Sequence, residues 1–359
     1  LVTASFSAGK IPATIITGFL GAGKTTMIRK LLENVDGKRI ALIINEFGDL
    51  GVDVGLLKGC GIENCRNDDV IELNNGCICC TVADDFIPAI MKLLARQERP
   101  DHIVIETSGL ALPQPLVAAF NWPEIRTQVT VDGVITVIDA PAVAEGRFAD
   151  DHNRVDIQRR QDNALDHESP LEELFEDQIH AADLIVLNKA DLLGEKALEA
   201  VRAEVAARSG RQMQVVAASY GNLGAGLLLG LGIGTQEDIE NRKSHHELHH
   251  EAGELHSHED FDSFVVCPGP VNDPKAFSER LKAIIAGHNI LRLKGFVDVP
   301  GKQMRLVLQA VGPRVDYYFD RLWKKDEERM TRLVAIGPCT MDQAAIADAV
   351  AEAVWNGIC

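Results

Sequence analysis

The sequence predicts an α/β protein, a mainly parallel sheet covered by helices on both faces, followed by a smaller C-terminal α+β domain. Two observations carry the first part. Short apolar, β-branched runs recur at residues 13–17, 39–45, 102–106, 134–139, 183–188 and 214–218. Stretches of helical periodicity fall between them, at 25–33, 87–96, 171–181 and 196–208. Strands read as continuous apolar runs when both faces are buried, and alternation with amphipathic helices is the pattern of successive βαβ units. A third observation marks the second domain: after residue 260 the order changes. A strand is expected over 261–267, a helix over 274–286, a hairpin of 290–299 with 303–311 around Pro300-Gly301-Lys302, a strand over 331–336 and a closing helix over 341–354. Hairpin-connected strands with helices at either end suggest a compact α+β unit.

Between the two parts, residues 221–234 are rich in Gly and Leu, and residues 236–260 are charged and hold His245, His246, His249, His250, His256 and His258. This composition reads as a linker. The expected division is therefore 1–220, a linker over 221–260, and 261–359.

Composition narrows the function classes. With 46% hydrophobic and 25% charged residues the chain reads as an ordinary globular protein. The formal net charge of -17 with scattered Lys and Arg argues against nucleic acid and anionic membrane as partners. No apolar run is long enough to span a bilayer, and the start shows no signal-peptide pattern. Five of the eight cysteines lie between Cys60 and Cys80, spaced unlike a disulfide framework, so a reducing, cytoplasmic setting is expected.

Residues 18–25, Gly-Phe-Leu-Gly-Ala-Gly-Lys-Thr, match G-x-x-x-x-G-K-[ST] after a predicted strand and at the start of a predicted helix. That is the context of a P-loop, so the first domain is expected to be of the P-loop NTPase type. Backbone N–H groups around Gly18, Gly21, Ala22 and Gly23 can wrap phosphates, with Thr26 in the following helical turn. Lys24 can reach the β- and γ-phosphates, and the Thr25 hydroxyl can coordinate Mg²⁺. Asn188-Lys189-Ala190-Asp191 ends a later strand. Asp191 there can accept N1–H and the 2-amino hydrogens of guanine, which points to GTP, with the Ala218–Ser219 backbone as a further contact at Ser219. For the Mg²⁺-side carboxylate, Glu106 is preferred and Asp139 is its rival, which can equally be a strand-end cap. Glu46 and Asp49 follow the second strand, where they can touch metal or water or form a solvated loop. No residue stands out as a catalytic base, and phosphoryl transfer depends mostly on positioning.

Cys77-Ile-Cys79-Cys80 offers adjacent and alternate thiolates suited to a soft or borderline divalent ion such as Zn²⁺ or Co²⁺. Two readings stay open: an exchangeable site, or a fixed structural zinc completed by Cys60 and Cys65. His245/His249 and His246/His250 are i, i+4 pairs within the linker, read as weak accessory ligands or as solvated side chains.

Taken in order, Gly-Phe-Leu-Gly-Ala-Gly-Lys-Thr-Thr (18–26), Asn-Glu-Phe-Gly (45–48), Gly-Cys-Ile-Cys-Cys (76–80), Glu-Thr-Ser-Gly (106–109) and Asn-Lys-Ala-Asp (188–191) resemble the CobW family of metal-handling GTPases. The pattern after residue 261 resembles that family's second domain. The insertion around 146–169 and the His-rich linker resemble its branch associated with cobalamin biosynthesis. The resemblance implies a GTP-dependent chaperone that carries a divalent metal at Cys77, Cys79 and Cys80. It further implies Co²⁺ as cargo, with Zn²⁺ known in sister groups, and a metal-receiving partner such as the cobaltochelatase.

Overall fold

A computed structural model of the 359-residue chain describes residues 10–35, 37–45, 70–73, 86–149, 155, 171–210, 213–229, 261–324 and 327–354. They fall into two compact units, one formed chiefly by Ile11–Leu231 and the other chiefly by Asp260–Cys359.

The N-terminal unit is built on seven parallel strands: β1 (Ile11–Thr17), β2 (Ile40–Asn45), β3 (Val70–Leu73), β4 (His102–Glu106), β5 (Val129–Asp139), β6 (Leu184–Asn188) and β7 (Val215–Ala217). Their order is β3-β2-β4-β1-β5-β6-β7, with every pairing parallel. β4 and β6 are buried at every position, as strands covered on both faces must be. One face carries Ala13, Ile15, Ala41, Ile43, Ile103 and Ile105. Against it pack α2 (Ile87–Leu94), α3 (Pro113–Ala119) and α4 (Pro123–Arg126) through Ile90, Leu93, Leu116 and Ile125. The intervening residues Ile16, Leu42, Ile44 and Val104 are equally buried, so the opposite face is covered too. α1 (Lys24–Glu33) buries Met27, Ile28, Leu31 and Leu32. Towards β6, a further cluster joins Ile138, Ile185 and Leu187 to Phe175 and Ile179 of α6 (Leu171–Ala181) and to Val201 and Val205 of α7 (Glu195–Ser209).

Several elements differ from expectation. β5 starts at Val129, five residues before the predicted run. Its register against β1 shifts between Ala13 and Thr14, so Asp132 is the extra residue of a bulge, and Asp132-Gly133 hides the strand from an apolar-run search. β3, with four residues, is too short to stand out. Short helices α5 (Ala140–Ala144) and α8 (Ala225–Leu229) were not expected, and α8 lies inside the stretch read as linker. Leu227, Leu228 and Leu229 are buried in it, so the Gly/Leu-rich segment begins as packed structure.

The C-terminal unit is a five-stranded antiparallel sheet, order β11-β10-β9-β12-β8. Its strands are β8 (Phe261–Val266), β9 (Arg292–Val297), β10 (Met304–Val311), β11 (Arg314–Leu322) and β12 (Arg332–Pro338). β9 and β10 form the expected hairpin, with Leu306 opposite Val297. α9 (Pro274–Gly287) and α10 (Gln343–Val354) cover one face, burying Phe277, Leu281, Ile285, Ile346 and Val350 against Leu293, Leu308 and Ala335. The Asp273 carboxylate caps α9, accepting from Lys275 N and Ala276 N at 3.0 Å each.

On β10 and β11 a charged cluster is largely shielded from solvent. Arg305 reaches Asp320 at 2.5 Å and Glu327 at 2.8 Å, and its guanidinium lies over the Phe296 ring. Arg321 completes the set, 2.6 Å from the other Glu327 oxygen. Burial by itself pushes Glu327 up, but the Arg321 hydrogen bonds, the Lys324 N–H and Arg305 outweigh it and hold the carboxyl at about 2.

Candidate nucleotide site

All the P-loop parts meet at the C-terminal ends of β1, β4, β6 and β7, where ligands bind in open parallel sheets. β1 delivers the chain to Gly18, and α1 starts at Lys24 with Gly23 as its cap at φ 98°. No side chain fits at Gly23, because a Cβ there would collide with the Asn188 amide. The left-handed backbone and the missing side chain together let the loop curl tightly over the helix N-terminus.

Lys24 is buried and folds back along the loop, donating from Nζ to Gly18 O at 2.8 Å and Phe19 O at 3.2 Å. The ammonium is thus held within the turn that the preceding glycines shape. The Thr25 hydroxyl donates to Glu106 Oε1 at 2.7 Å. A hydroxyl and a carboxylate side by side are hard oxygen donors, a set that suits Mg²⁺. Thr26 is exposed.

Asp139, the other carboxylate considered for this role, is otherwise engaged. Its Oδ1 accepts from Ala142 N at 3.2 Å, capping α5, and its Oδ2 lies 2.5 Å from Lys189 Nζ. It ties the Lys189 turn to the start of α5.

Asn188 joins two loops. Its Nδ2 donates to Ala22 O at 2.8 Å, and its Oδ1 accepts from Gly221 N at 2.9 Å. Lys189 follows with left-handed backbone, φ 59°, and turns the chain into a 3-10 turn over Ala190–Leu192. That turn leaves Asp191 exposed. Ala190 N donates to Ala218 O at 3.0 Å, so the Asp191 turn and the loop bearing Ser219 are directly bonded neighbours. Tyr220 and Leu192 beside them are exposed.

The loop after β4 is seated by contacts the sequence did not disclose. Thr107 N donates to Ile16 O at 3.0 Å, and Thr107 Oγ1 to Thr17 Oγ1 at 2.9 Å, continuing the register of β4 on β1. A Cβ on Gly109 would lie 2.7 Å from Leu20 N, so the loop rests directly on the P-loop backbone. From the far side Gln178 of α6, fully buried, donates from Nε2 to Gly109 O at 3.2 Å and to Ala111 O at 3.1 Å. The available sequence signal was an amide on the apolar stripe of α6, between Phe175 and Ile179.

Glu46, Asp49, Cys60, Cys65, Cys77, Cys79, Cys80 and the linker histidines lie outside the described residues. Among the described residues, no three His, Cys, Asp or Glu side chains gather as a metal site, and no helix is long and apolar enough to cross a membrane.

Comparison with known proteins adds the following. Residues 12–217 match the family described as CobW/HypB/UreG, nucleotide-binding domain, and residues 261–354 match the cobalamin synthesis protein cobW C-terminal domain. The chain is 66% identical over 354 residues to a Sinorhizobium protein named zinc chaperone CobW, covering 99% of this chain and 100% of that one. It is 53% identical over 349 residues to a Pseudomonas aeruginosa protein of the same name, covering 96% and 92%. To the Escherichia coli protein named zinc chaperone YjiA it is 31% identical over 336 residues, covering 91% and 94%.

Proposed function

We propose that this chain, which belongs to the CobW family of nucleotide-binding proteins, is a GTP-hydrolysing metallochaperone. The observation that carries the nucleotide half is the Thr25 hydroxyl bonded to Glu106 beside a P-loop lysine. In this reading the loop from Gly18 to Thr26 takes the phosphates and Lys24 turns from its loop carbonyls to the β- and γ-oxygens. Thr25 and Glu106 hold Mg²⁺, Glu106 directly or through water, with Glu46 as a further candidate. The ion supplies charge neutralisation at the phosphates. Asp191 accepts from the guanine edge while Asn188, Lys189 and Ser219 frame it. Hydrolysis then rests on positioning and fixed dipoles.

The metal half rests on Cys77, Cys79 and Cys80 and on the names of the relatives. Zn²⁺ is the cargo those names support. A second reading is Co²⁺ delivered to a cobaltochelatase for cobalamin biosynthesis; the description of the C-terminal family match names cobalamin synthesis but no metal and no partner. Ligand type does not choose between them, because thiolates bind both and the ordinary divalent series places Co²⁺ below Zn²⁺. Thiolates that stay unbridged suit a reducing compartment, so we place the protein in the cytoplasm. The cargo site forms with GTP bound, and hydrolysis releases the metal to a receiving protein.

The test is a titration of Zn²⁺ and of Co²⁺ in excess Mg²⁺, first with GDP and then with a non-hydrolysable GTP analogue. The analogue is expected to tighten the metal by roughly 5–150-fold, and by reciprocity the metal tightens the analogue equally. Cys→Ser at 77, 79 or 80 should remove that coupling while sparing nucleotide binding. Equal metal affinity in both nucleotide states would leave a structural zinc in an assembly or signalling GTPase as the better description.

A further inference from the structure

We infer that Gln178 is a positioning residue for GTP hydrolysis: its side-chain amide seats the Gly109 loop on the P-loop. The inference rests on the GTPase reading above.

Helix α6 touches the phosphate end of the site twice. Phe175 packs edge-on against Phe19 of the P-loop, ring centroids 5.9 Å apart. One helical turn later, the Gln178 amide bonds both Gly109 O and Ala111 O. Both neighbours are pure acceptors, so the amide can face them only with its nitrogen, and its orientation is settled by chemistry. The consequence is a buried Oε1 with no hydrogen-bond partner among the described residues. Leaving such an oxygen unsatisfied is costly, whereas a methionine of similar length would avoid that cost and orphan the two carbonyls instead. The amide is therefore committed to holding this loop. The helix that carries it is itself pinned to the sheet, because Gln178 O accepts from Thr136 Oγ1 of β5 at 2.8 Å.

The loop so held begins at Glu106, which takes the Thr25 hydroxyl, and its Gly109 presses on Leu20. Fixing the carbonyls of 109 and 111 fixes the Gly109–Leu110 and Ala111–Leu112 peptide planes. The Leu110 and Leu112 N–H groups, which share those planes, are oriented with them. Where catalysis is mostly positioning, a displacement of about 1 Å costs on the order of 100-fold in rate. The side chain touches neither nucleotide nor Mg²⁺ in this arrangement and acts only through the loop.

Three variants of the full-length protein test this: Gln178→Met, Gln178→Glu and Thr136→Val. Both Gln178 variants should lower kcat for GTP roughly 10–100-fold, keep GDP affinity within about twofold, and reduce the preference for a non-hydrolysable GTP analogue over GDP. Thr136→Val removes one backbone anchor of helix α6 and leaves the Gln178 amide on both loop carbonyls, so it should lower the melting temperature and leave kcat within about twofold. Gln178→Met and Gln178→Glu with undiminished kcat would overturn the inference. So would a loss of GDP binding in step with kcat, or a Thr136→Val variant with the same kinetic defect, since both indicate general destabilisation. Absence of GTP hydrolysis by the unsubstituted protein would instead sink the GTPase reading. The analogue-to-GDP affinity ratio then decides the seating role by itself.

Discussion

The Glu106 carboxylate lies 2.7 Å from the Thr25 hydroxyl, and in the proposed reading these two oxygens would take Mg²⁺. Glutamine at this position would keep the acceptor for Thr25 and lose the charge. Glu106→Gln is thus expected to raise the Mg²⁺ concentration for half-maximal turnover and lower kcat about 10–100-fold, with GDP binding little changed. Turnover measured against Mg²⁺ concentration checks this, and an unaltered Mg²⁺ dependence would remove Glu106 from the metal side. That these two side chains come together was legible because motif spacing places Thr25 at the start of a predicted helix and Glu106 at the end of a predicted strand, at one end of the sheet. Gln178 was not legible. Its partners Gly109 and Ala111 are about 70 positions away and contribute only backbone carbonyls, which no residue type announces. Asp139 had two readings, rival metal carboxylate or strand-end cap, and the fold takes the cap, with Lys189 on the other oxygen.

Elements were read best where both faces of a strand are buried, because burial writes a continuous apolar run, as in His102–Glu106 and Leu184–Asn188. β11 has no such signature. Arg-Val-Asp-Tyr-Tyr-Phe-Asp-Arg-Leu lies at the sheet edge, with Tyr317, Phe319 and Leu322 exposed and Asp320 paired across the ladder with Arg305. What secures this edge is the Arg305–Asp320–Glu327–Arg321 cluster, in which Glu327 is only 11% exposed. Its folded-state value of about 2 lies below the ordinary 4.5, so the associated stability is complete above pH about 4.5 and is lost as pH falls towards 2. After a discount for solvent screening, that contribution is roughly 2 kcal/mol. Glu327→Gln should destabilise the C-terminal unit by about this amount in denaturant titrations at neutral pH, and the gap from the unsubstituted chain should close towards pH 2–3. A gap that persists at acid pH would mean the cost lies in packing and not in charge.

Across the whole chain, the two compact units correspond to the change from alternating to hairpin-connected strands, while the Gly/Leu-rich stretch hides a buried helix at Ala225–Leu229. Leucines separated by glycines satisfy neither a helical nor a strand period for long, which is why composition suggested a linker there. Deleting residues 242–258, which hold the histidine pairs, should leave one tight Zn²⁺ site and unchanged GTP turnover. If a Zn²⁺ titration of the deletion variant loses the tight site, the cargo ligands lie in that segment and not at Cys77, Cys79 and Cys80. Within the N-terminal unit, Asn188 fastens its own turn and the loop at Gly221 to the P-loop at Ala22. In the proposed assignment, a base that fits poorly at Asp191 displaces this turn and pulls on the cradle around the phosphates. The wrong nucleotide is then penalised twice, in occupancy and in rate, and the two penalties multiply into fidelity without any separate editing step.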